Sequence, residues 1–317
     1  MCKYFNSIFG ILMALVIIAI RTDARGAAAP DRLVGIHSAR VMSQSFPWVA
    51  QEAGIFKKYN LDFNLVFISS SNIVTAALLG GDAEMTVTGG VKNVMTQTLV
   101  AGGNIKKVED LKGKRIGVSR IGGNSHYFTI QALRRHNMEP NRDYSFLQTG
   151  GDPETLAALM SGSLEVANLT PPTDALAIAR GYHYVVYGPD LKIPYAATAF
   201  VTKRSVIAKR PQVITNFMRA MAETSKLVHT DREFFYKVLG KYLRISDRSV
   251  LDSAYNAEIK ALEPRLAIKM ESLQAILDEL APTDARAKNI KPQELVDSRY
   301  LDEMNKSGFM DQLWGKK

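Results

Sequence analysis

Hydrophobic and polar positions fall into short alternating blocks that predict β-strands followed by α-helices. The clearest block spans residues 115–137, where Ile116 and Val118 indicate a buried strand that ends at Gly122 and Gly123. A helix is predicted next, with Asn124 or Ser125 as its N-cap. Its apolar face would consist of Phe128, Ile130, Ala132 and Leu133. Its end carries Arg134, Arg135 and His136, and cations suit that end of the helix dipole.

The same patterns divide the rest of the chain. Further strands are predicted over residues 32–38, 61–69, 85–88, 144–149, 165–169, 182–187 and 196–202, and helices over 45–58, 73–79, 153–160 and 173–179. From residue 211 onward the pattern is helical, with predicted helices over 211–229, 232–243, 247–262, 270–280 and 292–314. This order predicts an α/β fold with mainly parallel sheets, one of them covered by the C-terminal helices.

Three predicted helix starts lack acidic residues in the first turn: those at Ser45, at Ser71 with Asn72, and at Asn124 with Ser125. The free N–H groups and positive dipole end of such a helix can bind an anion or a polar group. The helix starts at residues 152–154 and 173–174 carry acids and would repel an anion. Because ligands of open α/β sheets bind at the carboxyl ends of the strands, these loops predict a cleft. For any single loop, an ordinary capped connection is the better interpretation.

Side chains near these loops leave two interpretations open. Tyr195 follows a proline before a predicted strand and could line a cleft or belong to the core, whereas Phe46 and Trp48 are expected in the core. His126 beside Ser125 suggests a polar contact. General-base chemistry would need a third residue that the sequence does not identify.

The N-terminus predicts export. An apolar run over residues 8–20 follows Lys3 and precedes small residues, as in a signal peptide spanning residues 1–29. The run is short for a membrane span, so an uncleaved anchor is the secondary interpretation. The expected location is the periplasm. The sole cysteine, Cys2, lies within this segment, so the mature chain would have no disulfide, cysteine nucleophile or cysteine metal site.

Composition narrows the classes of function. The chain has 317 residues, 46% of them hydrophobic, which is enough for two lobes. Removing residues 1–29 lowers the formal net charge from +9 to +7, because Lys3, Arg21, Arg25 and Asp23 are lost. The basic residues are spread out, and no nucleic-acid partner is expected. The sequence shows no HExxH, P-loop, G-x-S-x-G or Rossmann pattern, and we expect neither a cofactor nor a metal.

Several segments together resemble one family, the SsuA/TauA-like periplasmic solute-binding proteins of ABC importers for nitrate, taurine, alkanesulfonates and thiamine-pyrimidine precursors. The resemblance rests on W-x-A-x-E-A-G-I-F-K-K-Y-N-L at 48–61, G-D-A-E-M at 81–85, E-D-L-K-G-K-R-I-G-V at 109–118, G-G-N-S-H at 122–126 and L-A-A-L-M-S-G-S-L-E-V-A at 156–167. It extends over nearly all of the mature chain.

The resemblance implies a type II periplasmic-binding fold with a helical C-terminal segment. Lobe I would comprise residues 30–105 and 195–317, and lobe II residues 106–194. The ligand would be clamped between them and presented to the transmembrane permease by a monomeric protein without enzymatic activity. The ligand-binding residues implied by position, together with the candidates above, are His37, Ser38, Ser45, Ser70, Ser71, Gly89, Gly90, Gly123, Asn124, Ser125, His126, Thr170 and Tyr195.

One segment departs from the family pattern. A helix and a strand are expected between Gly90 and Val91, and the sequence has neither. Two glycines are too few for a parallel crossover but suit a tight hairpin turn. Either lobe I has lost a βα unit and its sheet is rearranged, or the gene model lacks the segment. We expect such a chain to be less stable than full-length relatives.

The sequence leaves three functional hypotheses. A binding protein for a small anionic or polar organic solute leads. An enzyme resembling the thiamine-pyrimidine synthases is the alternative, although those enzymes depend on a cysteine-rich motif that the mature chain lacks. A sensory or regulatory binding module is the third. No arginine clamp is evident, and Arg120 is the one candidate to hold a sulfonate or nitrate.

Overall fold

The structure is a computed structural model that describes residues 29–68 and 71–315. The predicted signal peptide, apart from residue 29, and Ser70 lie outside these ranges. The strands are β1 (Asp31–His37), β2 (Leu61–Phe67), β3 (Met85–Val94), β4 (Thr98–Ala101), β5 (Arg115–Val118), β6 (Ser145–Gln148), β7 (Val166–Leu169), β8 (His183–Tyr187) and β9 (Pro194–Thr202).

Helices separate most of these strands and make up the C-terminal third. They are α1 (Phe46–Glu52), α2 (Ile55–Lys58), α3 (Ser71–Gly80), α4 (Asn124–Arg134), α5 (Asp152–Met160), α6 (Thr173–Ile178), α7 (Gly188–Leu191), α8 (Arg204–Lys209), α9 (Pro211–Thr230), α10 (Arg232–Leu243), α11 (Arg248–Glu258), α12 (Met270–Leu280), α13 (Arg299–Lys306) and α14 (Phe309–Trp314). Within the described residues, no helix is both long and apolar enough to cross a bilayer.

The first sheet has the strand order β2-β1-β3-β9. β1 lies parallel to β2 and β3, whereas β9 is antiparallel to β3. One face of this sheet packs against α1, α2, α9 and α10. At its centre the rings of Phe56, Phe63 and Phe217 stack on one another, with centroids 4.4–6.3 Å apart. The apolar face of the long helix α9 therefore closes the first core.

The second sheet has the order β6-β5-β7-β4-β8. β5 is parallel to its neighbours β6 and β7, and β4 is antiparallel to β7 and β8. The apolar face predicted for α4 is largely confirmed, because Phe128, Ala132 and Leu133 are buried in the core of this sheet. Both sheets are thus mixed, whereas the sequence pattern predicted mainly parallel ones. The predicted α/β class and the helical C-terminal segment are confirmed.

The hairpin suggested at Gly89 and Gly90 is wrong, because β3 runs through both glycines as one strand. Met85 and Thr86 pair with β1, and Lys92 and Val94 pair with β9 across a register shift. Strand β9 is the antiparallel partner of β3 on both sides of the glycines, and the Thr198 hydroxyl of β9 donates to the Gly90 carbonyl, which keeps the chain extended. Gly90 also packs tightly, since a Cβ there would lie 2.6 Å from the Phe46 ring. In the described residues, no helix separates β3 from β4.

Smaller differences have local causes. The helix predicted over residues 45–58 is broken at Gly54, whose φ of +69° suits glycine, and the one predicted over 292–314 is broken at Gly308, with a φ of +74°. The strand predicted over residues 61–69 forms β2 at the edge of the first sheet. Val66 and Phe67 at its end are 44% and 38% exposed.

Two short connections join the sheets. Strand β3 passes to β4 through Met95, Thr96 and Gln97, and α7 passes to β9 through Lys192 and Ile193. Residues 92–98 of the first crossing are mostly buried although five of them are polar. A buried polar segment, residues 92–98, therefore joins the two lobes, and we call this place the crossing.

Candidate functional site

Two of the predicted ligand-binding residues of the first sheet bond to nearby backbone. His37 ends β1, is 3% exposed, and places Nδ1 3.1 Å from the carbonyl oxygen of Ala39. Burial lowers the pKa of His37 to about 4, so its ring is neutral at pH 7. Ser45 precedes α1 but donates its hydroxyl to the carbonyl of Met42 at 2.6 Å. Ser45 has αR backbone angles and makes no side-chain cap bond, and the first turn of α1 lacks acidic residues, as predicted.

The loop before α4 differs from its prediction in one respect. Gly123 is the N-cap, with extended backbone, and Asn124 and Ser125 are the first two helical residues. The Ser125 hydroxyl accepts a hydrogen bond from the Ser119 backbone N–H at 3.1 Å and lies 2.9 Å from the Ser119 hydroxyl. The prediction that either residue caps the helix is therefore wrong. The first turn does lack acidic residues, as predicted.

The remaining predicted residues are distributed over several environments. The His126 ring lies 4.4 Å from that of Phe146, and burial lowers its pKa. The Thr170 N–H donates to Asp152 Oδ2 at 2.8 Å. Tyr195 is core-like at 8% exposure, and its hydroxyl donates to Glu279 Oε2 at 2.8 Å.

The structure does not gather the predicted residues into one contact network. Ser38 donates its N–H to Gln44 Oε1 on the first-sheet side, whereas Asn124 Nδ2 lies 3.4 Å from the Ala197 carbonyl oxygen in β9. Ser71 begins α3, and Gly89 and Gly90 lie within β3. Among the described contacts, none links the group around His37 and Ser45 to residues 123–126. Their roles in ligand binding remain predictions.

A buried ionic network at the crossing was not among the predicted sites. Lys92, near the end of β3, places Nζ 2.9 Å from Glu258 Oε1 of α11 and 2.7 Å from the Thr96 hydroxyl. Thr96 also hydrogen-bonds to the same carboxylate oxygen. The Lys92 and Glu258 side chains are only 2% and 0% exposed. Two segments, residues 92–96 and the end of α11, therefore converge on one charged pair between the sheets.

Two further acids are largely shielded from solvent and are influenced by the negative charge of Glu258. Asp152 starts α5 and Asp174 lies in the first turn of α6, where it accepts a hydrogen bond from the Tyr184 hydroxyl. Burial is the main cause that raises the pKa of Asp152 to about 6 and that of Asp174 to about 7. The negative charge of Glu258 adds to both shifts. We call Lys92, Thr96, Asp152, Asp174 and Glu258 the crossing cluster.

Polar atoms beside this crossing have no hydrogen-bond partner. Among the described residues, Glu258 Oε2 and Gln97 Oε1 are both buried and unpaired. Buried polar groups in native proteins are normally satisfied, and each exception requires an explanation. Both atoms are acceptors, so a solute or water with N–H or O–H groups would satisfy them. The crossing cluster has three carboxyl groups and one ammonium, so it favours hydrogen-bond donors over anions.

Part of this cluster could have been recognised in the sequence. Asp174 lies within a run of apolar residues, and Lys92 follows a predicted strand in another apolar stretch. A lone charge in such a run indicates either a surface position or a buried pair. The sequence did not indicate Glu258 as the partner, because 166 positions separate it from Lys92.

Comparison with known proteins places this geometry in a wider group. Residues 90–231 match the family model described as NMT1/THI5 like. The nitrate-binding protein NrtA of Synechocystis PCC 6803 superposes with a TM-score of 0.70 at 13% identity, over 89% of each chain. The fold is that of the periplasmic solute-binding proteins. The aliphatic sulphonate-binding protein SsuA of Escherichia coli gives 0.65 at 16% identity, over 86% of this chain and 99% of its own.

Two other similarities complete the comparison. YtlA of Bacillus subtilis strain 168, which is provisionally named a binding protein, is 23% identical over 289 residues, or 81% of this chain and 85% of its own. The desulfurization enzyme DSZB shares the periplasmic-binding fold, with a TM-score of 0.63 at 13% identity over 87% of this chain and 99% of its own. The sequence-based resemblance is confirmed. Because structural neighbours at these identities share only the fold, function needs its own argument.

Proposed function

We propose that this chain is the extracytoplasmic solute-binding component of an ABC importer. It would close its two lobes on a small polar organic solute and present the closed form to a membrane permease. The two-sheet fold and its two short connections support hinge closure, because a few residues at the ends of elements can absorb the rotation. The exported location predicted from residues 1–29 is consistent with this role.

The observation that carries the proposal is that two buried hydrogen-bond acceptors at the crossing have no partner among the described residues. Glu258 Oε2 and Gln97 Oε1 belong to segments that meet where the lobes join. A bound solute with donor groups would pair with them and hold both lobes together. Binding free energy would then come from satisfying polar atoms that are already desolvated.

A thermal-shift screen of the purified protein tests this role. The panel consists of alkanesulfonates, nitrate, bicarbonate, pyrimidines and small amines. A solute that binds the native state raises the melting temperature by mass action, so one chemical class should produce a concentration-dependent shift. If no class produces a shift in a folded protein, the proposed role is wrong.

Matched variants locate the binding. Glu258→Gln should abolish or reduce the shift, because it alters the acceptor at the crossing. Glu223 lies on α9 and pairs with Lys58, so Glu223→Gln should leave the shift unchanged. Circular dichroism confirms that both variants fold. Equal shifts in the two variants would show that the solute binds away from the crossing.

An enzymatic role is the second candidate because DSZB has the same fold. The same experiment separates the two roles if the shifting solute is recovered after incubation. A binding protein returns the solute chemically unchanged, whereas an enzyme converts it. Mass spectrometry of the recovered solute provides that measurement.

A further inference from the structure

A recess on the flank of the first lobe is separate from the crossing cluster. It lies between α1, the edge strand β2 and the C-terminal end of α10, and its volume is about 490 Å³. Ligand pockets are typically about 300–1,000 Å³, so the recess has room for a small organic molecule. It shares no lining residue with the crossing cluster.

Aromatic rings form much of the lining. The Trp48 indole stacks on the Tyr242 ring with centroids 5.0 Å apart and planes within 6°. His37 meets Trp48 edge-on at 5.5 Å and Phe67 at 5.2 Å. Trp48 and His37 are themselves buried, so the rings open to a planar ligand are those of Tyr242 and Phe67.

The other lining groups are mainly cationic. Arg40 lies over the Phe67 ring at 4.6 Å, and Lys241 and Arg244 lie at the end of α10. Lys241 is paired with Glu52 at 2.7 Å. In the part of the chain that the structure describes, neither Arg40 nor Arg244 forms a salt bridge. Two guanidinium groups therefore border the recess without a counter-ion.

Such a combination selects a ligand by two features at once. A bare inorganic anion would pair with the arginines but leave the rings uncovered, and a neutral aromatic molecule would do the reverse. Guanidinium groups bind carboxylates and sulfonates with paired, charge-assisted hydrogen bonds. A planar ring with one acidic group satisfies both parts of the lining.

We propose that this recess is a second binding site, which takes a small aromatic anion of the aryl carboxylate or sulfonate class. The ring lies against Tyr242, which covers the Trp48 indole, and the acidic group pairs with Arg40 and Arg244. The proposal does not depend on the transport role or on binding at the crossing.

The chain's two tryptophans make the test specific. In ¹⁵N-labelled protein they give two indole N–H resonances, which Trp314→Phe assigns. Benzoate should shift the Trp48 resonance in a saturable way and leave that of Trp314 unchanged. Benzamide, which lacks the charge, and acetate, which lacks the ring, should each bind at least about tenfold more weakly, the loss expected for one charge-assisted contact or one ring contact.

Arginine variants provide the decisive comparison. The double variant Arg40→Gln with Arg244→Gln should weaken benzoate binding at least about tenfold. Arg286→Gln is the matched control, because Arg286 is exposed, pairs with Asp284 and does not line the recess. An unchanged Trp314 resonance shows that each variant is folded. Equal affinity for benzoate and benzamide, or unchanged affinity in the double variant, would overturn the proposal.

Discussion

The crossing cluster and the flank recess differ in whether their charged side chains have a partner of opposite charge. At the crossing, Lys92 pairs with Glu258 almost completely out of solvent, and Asp152 and Asp174 are two further acids of the cluster, largely shielded from solvent. In the recess, two arginines border aromatic rings without a counter-ion and remain open to solvent. The basic net charge of the chain therefore says little about either place. Local enclosure decides whether a charged side chain is paired within the fold or is left without a counter-ion.

The largest expected effect comes from breaking the buried pair at the crossing. Lys92→Met leaves Glu258 buried without its cation, which should lower the free energy of unfolding by about 3–5 kcal/mol. Urea denaturation measures the change. Lys58→Met removes a lysine whose side chain is 60% exposed from its pair with Glu223, and it should cost only about 0–1 kcal/mol.

A double variant separates the pair from the packing around it. Lys92→Met combined with Glu258→Leu removes both charges, and it should recover a large part of the stability lost in Lys92→Met. If the double variant is less stable than Lys92→Met, the network stabilises the fold by more than charge compensation. That outcome would contradict the desolvation argument.

An intermediate effect is expected from pH. Asp174 has a folded-state pKa of about 7 against an ordinary 3.8, so the folded protein binds its proton more tightly than the unfolded chain. This contribution to stability is complete below the unfolded pKa and is lost as pH rises through about 7. Asp174→Asn should remove a few kcal/mol of the decrease in stability between about pH 4 and pH 8.

Denaturation curves recorded across this pH range measure the difference in stability between Asp174→Asn and the unmodified chain. His37 acts in the opposite direction, because its lowered pKa makes stability fall as pH drops from 6.5 towards about 4. The informative quantity is therefore the difference between Asp174→Asn and the unmodified chain. Identical pH profiles would mean that Asp174 is not desolvated as described.

The smallest of the three effects concerns the tight packing next to the crossing. Gly90→Ala places a methyl group against the Phe46 ring and should cost about 1–3 kcal/mol through overpacking. Gly80→Ala at the end of α3 is the control, because the nearest atom to its Cβ would be 3.7 Å away. Thermal melts compare the two. Equal melting temperatures would show that β3 relaxes around the added methyl group.

Most secondary structure followed from the sequence because apolar spacing and turn residues act locally. The strand before Gly122 and the apolar face of α4 are examples. The path of β3 did not follow, since its extended form through Gly89 and Gly90 depends on pairing with β9, over 100 residues later. For the same reason the Lys92–Glu258 pair was missed. The N-cap predicted at Asn124 or Ser125 was also wrong, because the Ser125 hydroxyl bonds to Ser119 and Gly123 is the N-cap.

The exposed edge strand β2 has a practical consequence for handling this protein. Its outer side pairs with no other strand in the part of the chain that the structure describes, and it carries the exposed side chains Val66 and Phe67. An apolar edge of this kind is a template for intermolecular strand pairing. Heated samples should therefore aggregate from partly unfolded molecules, which makes the apparent melting temperature depend on heating rate and protein concentration.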